Sequence, residues 1–428
     1  MPQFGSYRRS MSTLTAAQPQ HSTRHESTAR RTGAPRERIV SGPLALVFLS
    51  EFCALTSFYL MLSVTPMYAT AVGAGNAGAG LVTGVLLLGT VAAELAAPVL
   101  MRRFGYWAML LTGALLLGVP ALALLPGGSL AVIVTVSVIR GFGFGLCTVM
   151  TGALTAALLP PERRGEGLGL FGIVATAPGI VALPAGVWLA GHLGMATVVG
   201  LTAASALVPL AAFPLLSGGT GRQPASARPG TEQPDGLLSG LRRAGQLRPF
   251  LIFAASTVAG GVVVSFLPLA AGVSGNVAAA GLLAQALTAT VGRWWAGRRG
   301  DRTGHARLLI PALAIASTGM VTMIWLASPA AVIAGMCLFG TGFGICQNAT
   351  FALMIERMPP AGAGTASALW NLAYDAGYGA GPAAFGLVVN HTGYPAAFAL
   401  TAVLMLAAVP LARREHACAR GTAPRPGH

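Results

Sequence analysis

The sequence predicts an all-α membrane protein with twelve transmembrane helices in two six-helix bundles and both termini in the cytoplasm. Three observations lead to this prediction: an apolar composition, twelve long apolar runs, and an internal repeat. Of the 428 residues, 54% are hydrophobic and only 9% are charged, and the mean hydropathy is +0.68. Soluble domains carry about 25% charged residues, so the composition excludes a soluble enzyme, a nucleic-acid-binding domain and a disordered chain.

Each apolar run is long enough to cross a bilayer, which takes about 20 residues. The runs lie at about 42–66, 77–100, 106–126, 129–155, 165–190, 195–216, 250–272, 277–296, 308–328, 330–355, 364–389 and 395–412. They predict a disordered basic tail at 1–41, a first bundle at 42–216, a linker at 217–249, a second bundle at 250–412 and a tail at 413–428. The linker is rich in Gly, Pro, Ser and Arg, which is typical of a flexible connection.

The basic residues indicate how the chain is oriented in the membrane. All 27 are arginine, and nearly all lie in the two tails and in the loops after the even-numbered spans. Because Lys and Arg accumulate in cytoplasmic loops, both termini are predicted to be cytoplasmic. The net charge of +15 is therefore explained by membrane orientation, and we expect no nucleic-acid partner. An arginine-only, glycine-rich composition is typical of a GC-rich coding sequence and favours the inner membrane of a bacterial cell.

The two halves of the chain repeat one another. The run GFGFGLC at 141–147 recurs as GTGFGIC at 340–346, and the PP pair at 160–161 recurs at 359–360, both 199 residues later. A parallel repeat of this kind predicts two bundles related by an axis along the membrane normal, with a cavity between them near the midplane.

The loop after span 8 carries a second informative pattern. It reads G-x-x-x-D-R-x-G-x-x-R, formed by Gly297, Asp301, Arg302, Gly304 and Arg307. Together with the repeat, this motif makes residues 42–412 resemble the major facilitator superfamily, and more narrowly its bacterial efflux-permease branch. The resemblance implies a gating loop, in which Asp301 with Arg302 ties neighbouring helices together on the cytoplasmic side. The loop after span 2 departs from the motif at Pro98 and Arg102.

We single out four charged residues as lying clearly inside the predicted spans, namely Glu51, Glu94, Arg140 and Asp375. An ionisable side chain in the membrane interior costs about 2.5–3.5 kcal/mol on insertion scales, so it is a candidate for function. Arg140 resembles the span-4 arginine that antiporters of this superfamily place in the cavity. A buried guanidinium needs an acidic partner, and we expect Glu51 first and Glu94 second, in either a structural ion pair or a proton-coupling network.

A polar stripe on span 11 predicts part of the substrate cavity. Asn371, Tyr374, Asp375 and Tyr378 occupy positions i, i+3, i+4 and i+7, which lie on one face of a helix. Further neutral groups predicted to line the cavity are Thr56, Tyr59, Gln347 and Asn348.

These features and the resemblance together predict a secondary-active transporter. The expected activity is proton-coupled efflux, a multidrug-type antiport of a small amphipathic or hydrophobic compound by alternating access. Three acids against one arginine favour a neutral or cationic compound. The alternatives are a proton-linked transporter of a sugar or other polar metabolite, and a membrane sensor without transport. No P-loop, catalytic triad or metal-ligand pair is visible, so we expect no enzymatic activity, cofactor or metal. The expected partners are the substrate, protons and the lipid bilayer, and the expected state is a monomer.

Overall fold

The computed structural model describes residues 41–159, 163–216, 241, 245–359 and 362–421. Within these ranges every regular element is a helix, and ten stretches are long and apolar enough to cross a membrane. The predicted basic tail, apart from its last residue, and most of the predicted linker lie outside the described residues. The chain is therefore a multi-pass, all-helical membrane protein.

The first half consists of α1 (Gly42–Leu62), α2 (Val64–Ala71), α3 (Gly75–Phe104), α4 (Tyr106–Gly118), α5 (Leu130–Leu158), α6 (Arg164–His192) and α7 (Met195–Leu216). Predicted span 1 is divided between α1 and α2. The break is explained by Pro66, whose ring in a continuous helix would clash with the carbonyl of Leu62, the residue at which α1 ends.

The second half consists of α8 (Leu247–Phe266), α9 (Gly275–Thr303), α10 (Leu309–Thr322), α11 (Pro329–Glu356), α12 (Ala363–Leu406) and α13 (Val409–Gly421). Predicted span 11 and most of predicted span 12 lie in α12, and the non-helical residue Gly393, with a φ of +75°, lies between them. The helix α9 is long enough to span a membrane but is not among the ten apolar stretches. The count of twelve spans therefore stays a prediction.

The C-terminal end of the described chain is more ordered than a tail would be. Residues 409–421 form α13, and Glu415 within it is fully buried. Its carboxylate forms ion pairs with Arg357, at the end of α11, and Arg248, at the start of α8. The helix α13 is thereby attached to the second half of the chain.

The outer surface of the helices is apolar, as a lipid-facing surface must be. Leu88, Ile173 and Val291 are 66%, 67% and 63% exposed. Side chains of this kind are stable in contact with lipid, whereas a soluble monomer rarely exposes many of them together.

Glycines allow the helices of each half to pack at backbone distance. A Cβ added at Gly141 of α5 would overlap the carbonyl oxygen of Leu86 in α3, and one at Gly143 would lie 2.7 Å from the carbonyl oxygen of Gly113 in α4. Residues two apart lie on different sides of a helix, so this short run packs α5 against two neighbours at once.

The second half repeats the same packing. A Cβ at Gly340 of α11 would overlap the Gln285 carbonyl oxygen in α9, and one at Gly342 would overlap the Ala312 carbonyl oxygen in α10. Both contacted residues lie 199 positions after Leu86 and Gly113, the same offset as the glycine runs themselves. The sequence repeat is thus also a repeat of helix packing.

Hydrogen bonds join the two halves near the end of the molecule where α3 begins. Asn76 donates to Asn390 over 2.8 Å and accepts from the Tyr394 hydroxyl over 2.7 Å. Deeper in the helices, the hydroxyls of Thr83 and Ser265 are 3.1 Å apart. The loops on this side of the molecule are poor in arginine, and the sequence therefore predicts it to be the external side. The two halves are thus in contact on the predicted external side.

Candidate transport site

Two carboxyl groups meet where the halves of the chain pack together. Glu94 of α3 and Asp375 of α12 form a side-chain hydrogen bond. Glycine brings the helices close, since a Cβ at Gly379 of α12 would lie 2.8 Å from the Cβ of Leu87 in α3. An ionised carboxylate has no hydrogen to donate, so the bond requires one proton shared by the two groups. The contact joins α3 of the first half to α12 of the second half.

Aromatic side chains surround this acidic pair. The hydroxyl of Tyr59 in α1 lies close to that of Tyr374 in α12, at the junction of the two halves. The rings of Tyr374 and Tyr378 are stacked with centroids 5.0 Å apart, and Trp370 lies 6.0 Å from Tyr374. Tyr378 is only 5% exposed and Trp370 is stacked on Phe253. The partly exposed Tyr374 therefore offers the accessible ring and hydroxyl next to the acids.

Glu51 is buried within the first half and has a polar partner there. The Thr151 hydroxyl of α5 donates to Glu51 Oε2 over 2.5 Å, and the Glu51 side chain is only 5% exposed. The carboxyl group is thus held between α1 and α5 and does not belong to the Glu94 pair.

Arg140 does not form the ion pair that we expected. Its Nε donates to the carbonyl oxygen of Leu117 over 3.0 Å, and one terminal nitrogen donates to that of Ser57 over 3.1 Å. Among the described residues, neither Glu51 nor Glu94 lies at ion-pair distance from it. Thr151, the partner of Glu51, lies eleven residues farther along α5, about 16 Å away. Arg140 instead connects α5 to α1 and α4.

Arg293 of α9 is a residue that the sequence analysis missed. It lies in the predicted span 277–296 and its side chain is exposed. The guanidinium acts electrostatically on the hydroxyls of Tyr59 and Tyr374, so it faces the junction between the halves. Two signals could have identified it: a charge inside an apolar run, and its position 199 residues after Glu94.

The remaining predicted cavity residues are more dispersed. The Thr56 hydroxyl donates to the Phe52 carbonyl of its own helix, and Asn371 is exposed. Gln347 is buried in α11, while Asn348 packs against Gly297 of α9. The Asn348 Oδ1 is buried and accepts no hydrogen bond from the described residues. The structure thus gathers Tyr59, Tyr374, Tyr378 and the two acids, and their roles in binding stay predictions.

The predicted gating loop follows the end of α9. Gly304 has a φ of +86°, which ends the helix, and Arg302 and Arg307 are exposed. Asp301 Oδ1 lies 3.8 Å from Nε2 of His305, whose Nδ1 is 2.8 Å from Glu356 at the end of α11.

His305 was not identified from the sequence, although it lies within the motif. It connects the loop to a helix of the same half. A gating role for Asp301 with Arg302 stays a prediction.

An apolar groove of about 500 Å³ opens between α9, α10 and α11. Its lining includes Val291, Trp295, Ile315 and Thr341, and none of the acidic residues described above. This groove is separate from the cluster of acidic and aromatic residues.

Comparisons with known proteins agree with this architecture. A 128-residue segment, 29% of this chain, is 31% identical to an uncharacterised MFS-type transporter of Salmonella typhimurium (strain LT2). The match spans only about a third of that relative's length, 33%.

Solved structures resemble the whole fold. A bacterial homologue of the human lysosomal transporter Spinster, in an inward-facing and occupied conformation, has a TM-score of 0.69 at 17% identity over 87% of this chain and 96% of its own. A D-xylose–proton symporter has the same score and identity, over 86% and 96%. A mutant of the nucleoside transporter NupG has a score of 0.68 at 12% identity, over 88% and 98%.

A family model described as Major Facilitator Superfamily matches residues 47–382, which is most of both helical halves. The match confirms the resemblance that the repeat and the loop motif indicated. The chain therefore belongs to the major facilitator superfamily of membrane transporters.

Proposed function

We propose that the chain is a proton-coupled antiporter that exports a small amphipathic or hydrophobic compound by alternating access. On this proposal it acts as a monomer in the inner membrane of a bacterium, with twelve spans and both termini in the cytoplasm. The direction of transport is supported by the resemblance of the sequence to the efflux-permease branch, and the orientation by the placement of its arginines.

The Glu94–Asp375 pair is the observation that carries the proposal. While one proton is shared, the pair holds α3 and α12 together. When the proton leaves, two negative charges face each other. At a separation of about 4 Å and an effective dielectric constant near 20, their repulsion is on the order of 4 kcal/mol. A change of that size shifts a two-state equilibrium by almost a thousandfold, which is enough to favour separation of the halves.

The aromatic cluster supports the choice of an amphipathic compound. Tyr374 is partly exposed beside the acids and offers a ring, and the hydroxyls of Tyr59 and Tyr374 provide polar groups. The same surface also suits the ring of a sugar, so a proton-linked transporter of a sugar or another polar metabolite is the second candidate.

Proteoliposomes loaded with the pH indicator pyranine test the proposal. We expect proton movement when amphipathic compounds are added to wild-type vesicles under an imposed pH gradient, and none with sugars or nucleosides. Asp375→Asn should lose gradient-driven accumulation but keep exchange of compound for compound, since the amide still hydrogen-bonds without titrating. Glu166→Gln is the matched control, because Glu166 is exposed and pairs with Arg163.

Proton movement with sugars alone would favour the second candidate. No proton movement with any compound, or unchanged coupling in Asp375→Asn, would show that the acidic pair does not drive transport.

A further inference from the structure

The two halves carry opposite charges at equivalent positions. The offset of 199 relates Glu94 of α3 to Arg293 of α9, and Asp375 of α12 to Thr176 of α6. The contact between α3 and α12 brings two carboxyl groups together, whereas the equivalent contact, between α9 and α6, has an arginine on one helix and a threonine on the other. The Thr176 hydroxyl donates to the Gly172 carbonyl of its own helix over 2.8 Å.

Arg293 has no acidic partner among the described residues. The ion pairs among the described residues have other basic partners, namely Arg163, Arg248, Arg357 and His305. Its side chain is nonetheless exposed, and it lies within electrostatic range of Tyr59 and Tyr374 at the junction of the halves. An unpaired guanidinium at membrane depth is costly and is rarely retained without a partner, so a partner from outside the chain is the simplest explanation.

We propose that Arg293 binds the acidic group of the transported compound, which is a monovalent organic anion with an aromatic body. A guanidinium binds a carboxylate through two parallel hydrogen bonds, and the ring of the compound then lies against Tyr374, which is partly exposed. The inference rests on the proposed function and specifies its substrate class. It replaces the expectation of a neutral or cationic compound, which counted Arg140 and overlooked Arg293.

The test compares two probes of nearly the same shape, naphthoate and its neutral amide, naphthamide. Their affinities for the purified full-length protein are measured by equilibrium dialysis in detergent. Wild type should bind naphthoate about tenfold or more tightly than naphthamide, as expected for a charge-assisted hydrogen bond. Arg293→Gln should abolish this preference without weakening naphthamide, and Arg293→Lys should keep part of it.

Arg298→Gln is the matched control on the same helix, because Arg298 stacks on Trp294, 3.9 Å from the ring centroid. It should leave the preference unchanged. A wild-type protein that does not distinguish the probes, including one that binds neither, overturns the inference, as does a preference that survives Arg293→Gln.

The pyranine assay separates this inference from the proposed function. Proton-coupled transport of neutral or cationic compounds without a preference for naphthoate refutes only the inference. Naphthoate binding that depends on Arg293, without gradient-driven transport, supports the inference and refutes proton coupling.

Discussion

The substitution Gly143→Ala tests the close helix packing at glycine that both halves share. In Gly143→Ala the new Cβ would lie 2.6 Å from the Leu117 nitrogen, 2.7 Å from the Gly113 oxygen and 2.8 Å from the Leu116 carbonyl carbon. All three are backbone atoms, and ordinary contacts of a Cβ begin at 3.4 Å. No side-chain rotation relieves the overlap, so α4 and α5 must separate by about 0.5–1 Å.

Overpacking of this kind costs about 1–3 kcal/mol, and each kcal/mol lowers the unfolding midpoint of a domain of this size by about 2–4 °C. We therefore expect Gly143→Ala to lower the apparent Tm in detergent by about 2–12 °C. Gly152→Ala, also in α5, is the control, because nothing lies within 4 Å of its Cβ. The control should be neutral or stabilising, since Ala favours a helix over Gly. Equal Tm values for the two variants would refute the close packing.

Two further perturbations test individual polar groups. Arg140→Gln should lower the unfolding free energy by about 1–3 kcal/mol, because glutamine cannot reach the carbonyls of both Leu117 and Ser57. An unchanged Tm together with lost proton coupling would instead assign Arg140 to transport. Glu415→Gln should lower the Tm more than Glu166→Gln. Glu415 is fully buried between two arginines, whereas exposed ion pairs contribute little to stability. Equal Tm values for the two variants would show that these ion pairs do not hold α13 in place.

Composition and repetition were sufficient to predict most of the fold. Long apolar runs with few charges can only be membrane helices, because the backbone must satisfy its own hydrogen bonds in lipid. The glycine runs indicated only the repeat, and the structure shows that they let neighbouring helices approach to backbone distance. The break after Leu62 was not predicted, because hydropathy does not record where the backbone bends. The non-helical Gly393, in contrast, lies in the predicted gap between spans 11 and 12.

The partners of the charged residues could not be predicted in the same way. Arg140 was expected to pair with Glu51, but backbone carbonyls satisfy the arginine and Thr151 satisfies the glutamate. A helix carbonyl or a threonine hydroxyl occurs on nearly every turn, so the sequence gives no sign of which one a charge will use. The pairing of Glu94 with Asp375 depends on how the two halves dock, which no local pattern specifies.

The repeat also shows where the two halves have diverged. Thr151 and Thr350 are equivalent in the repeat, and each hydroxyl lies within hydrogen-bonding distance of the carbonyl one turn earlier in its helix. Their other partners differ. The Thr151 hydroxyl contacts the carboxyl of Glu51, whereas the Thr350 hydroxyl accepts a hydrogen bond from the indole of Trp370. At this position the halves differ in their side-chain contacts, while the glycine packing is kept. A carrier of the proposed kind needs two halves with unlike inner surfaces. Rocking one half against the other then changes the surroundings of a bound proton or anion without deforming either half.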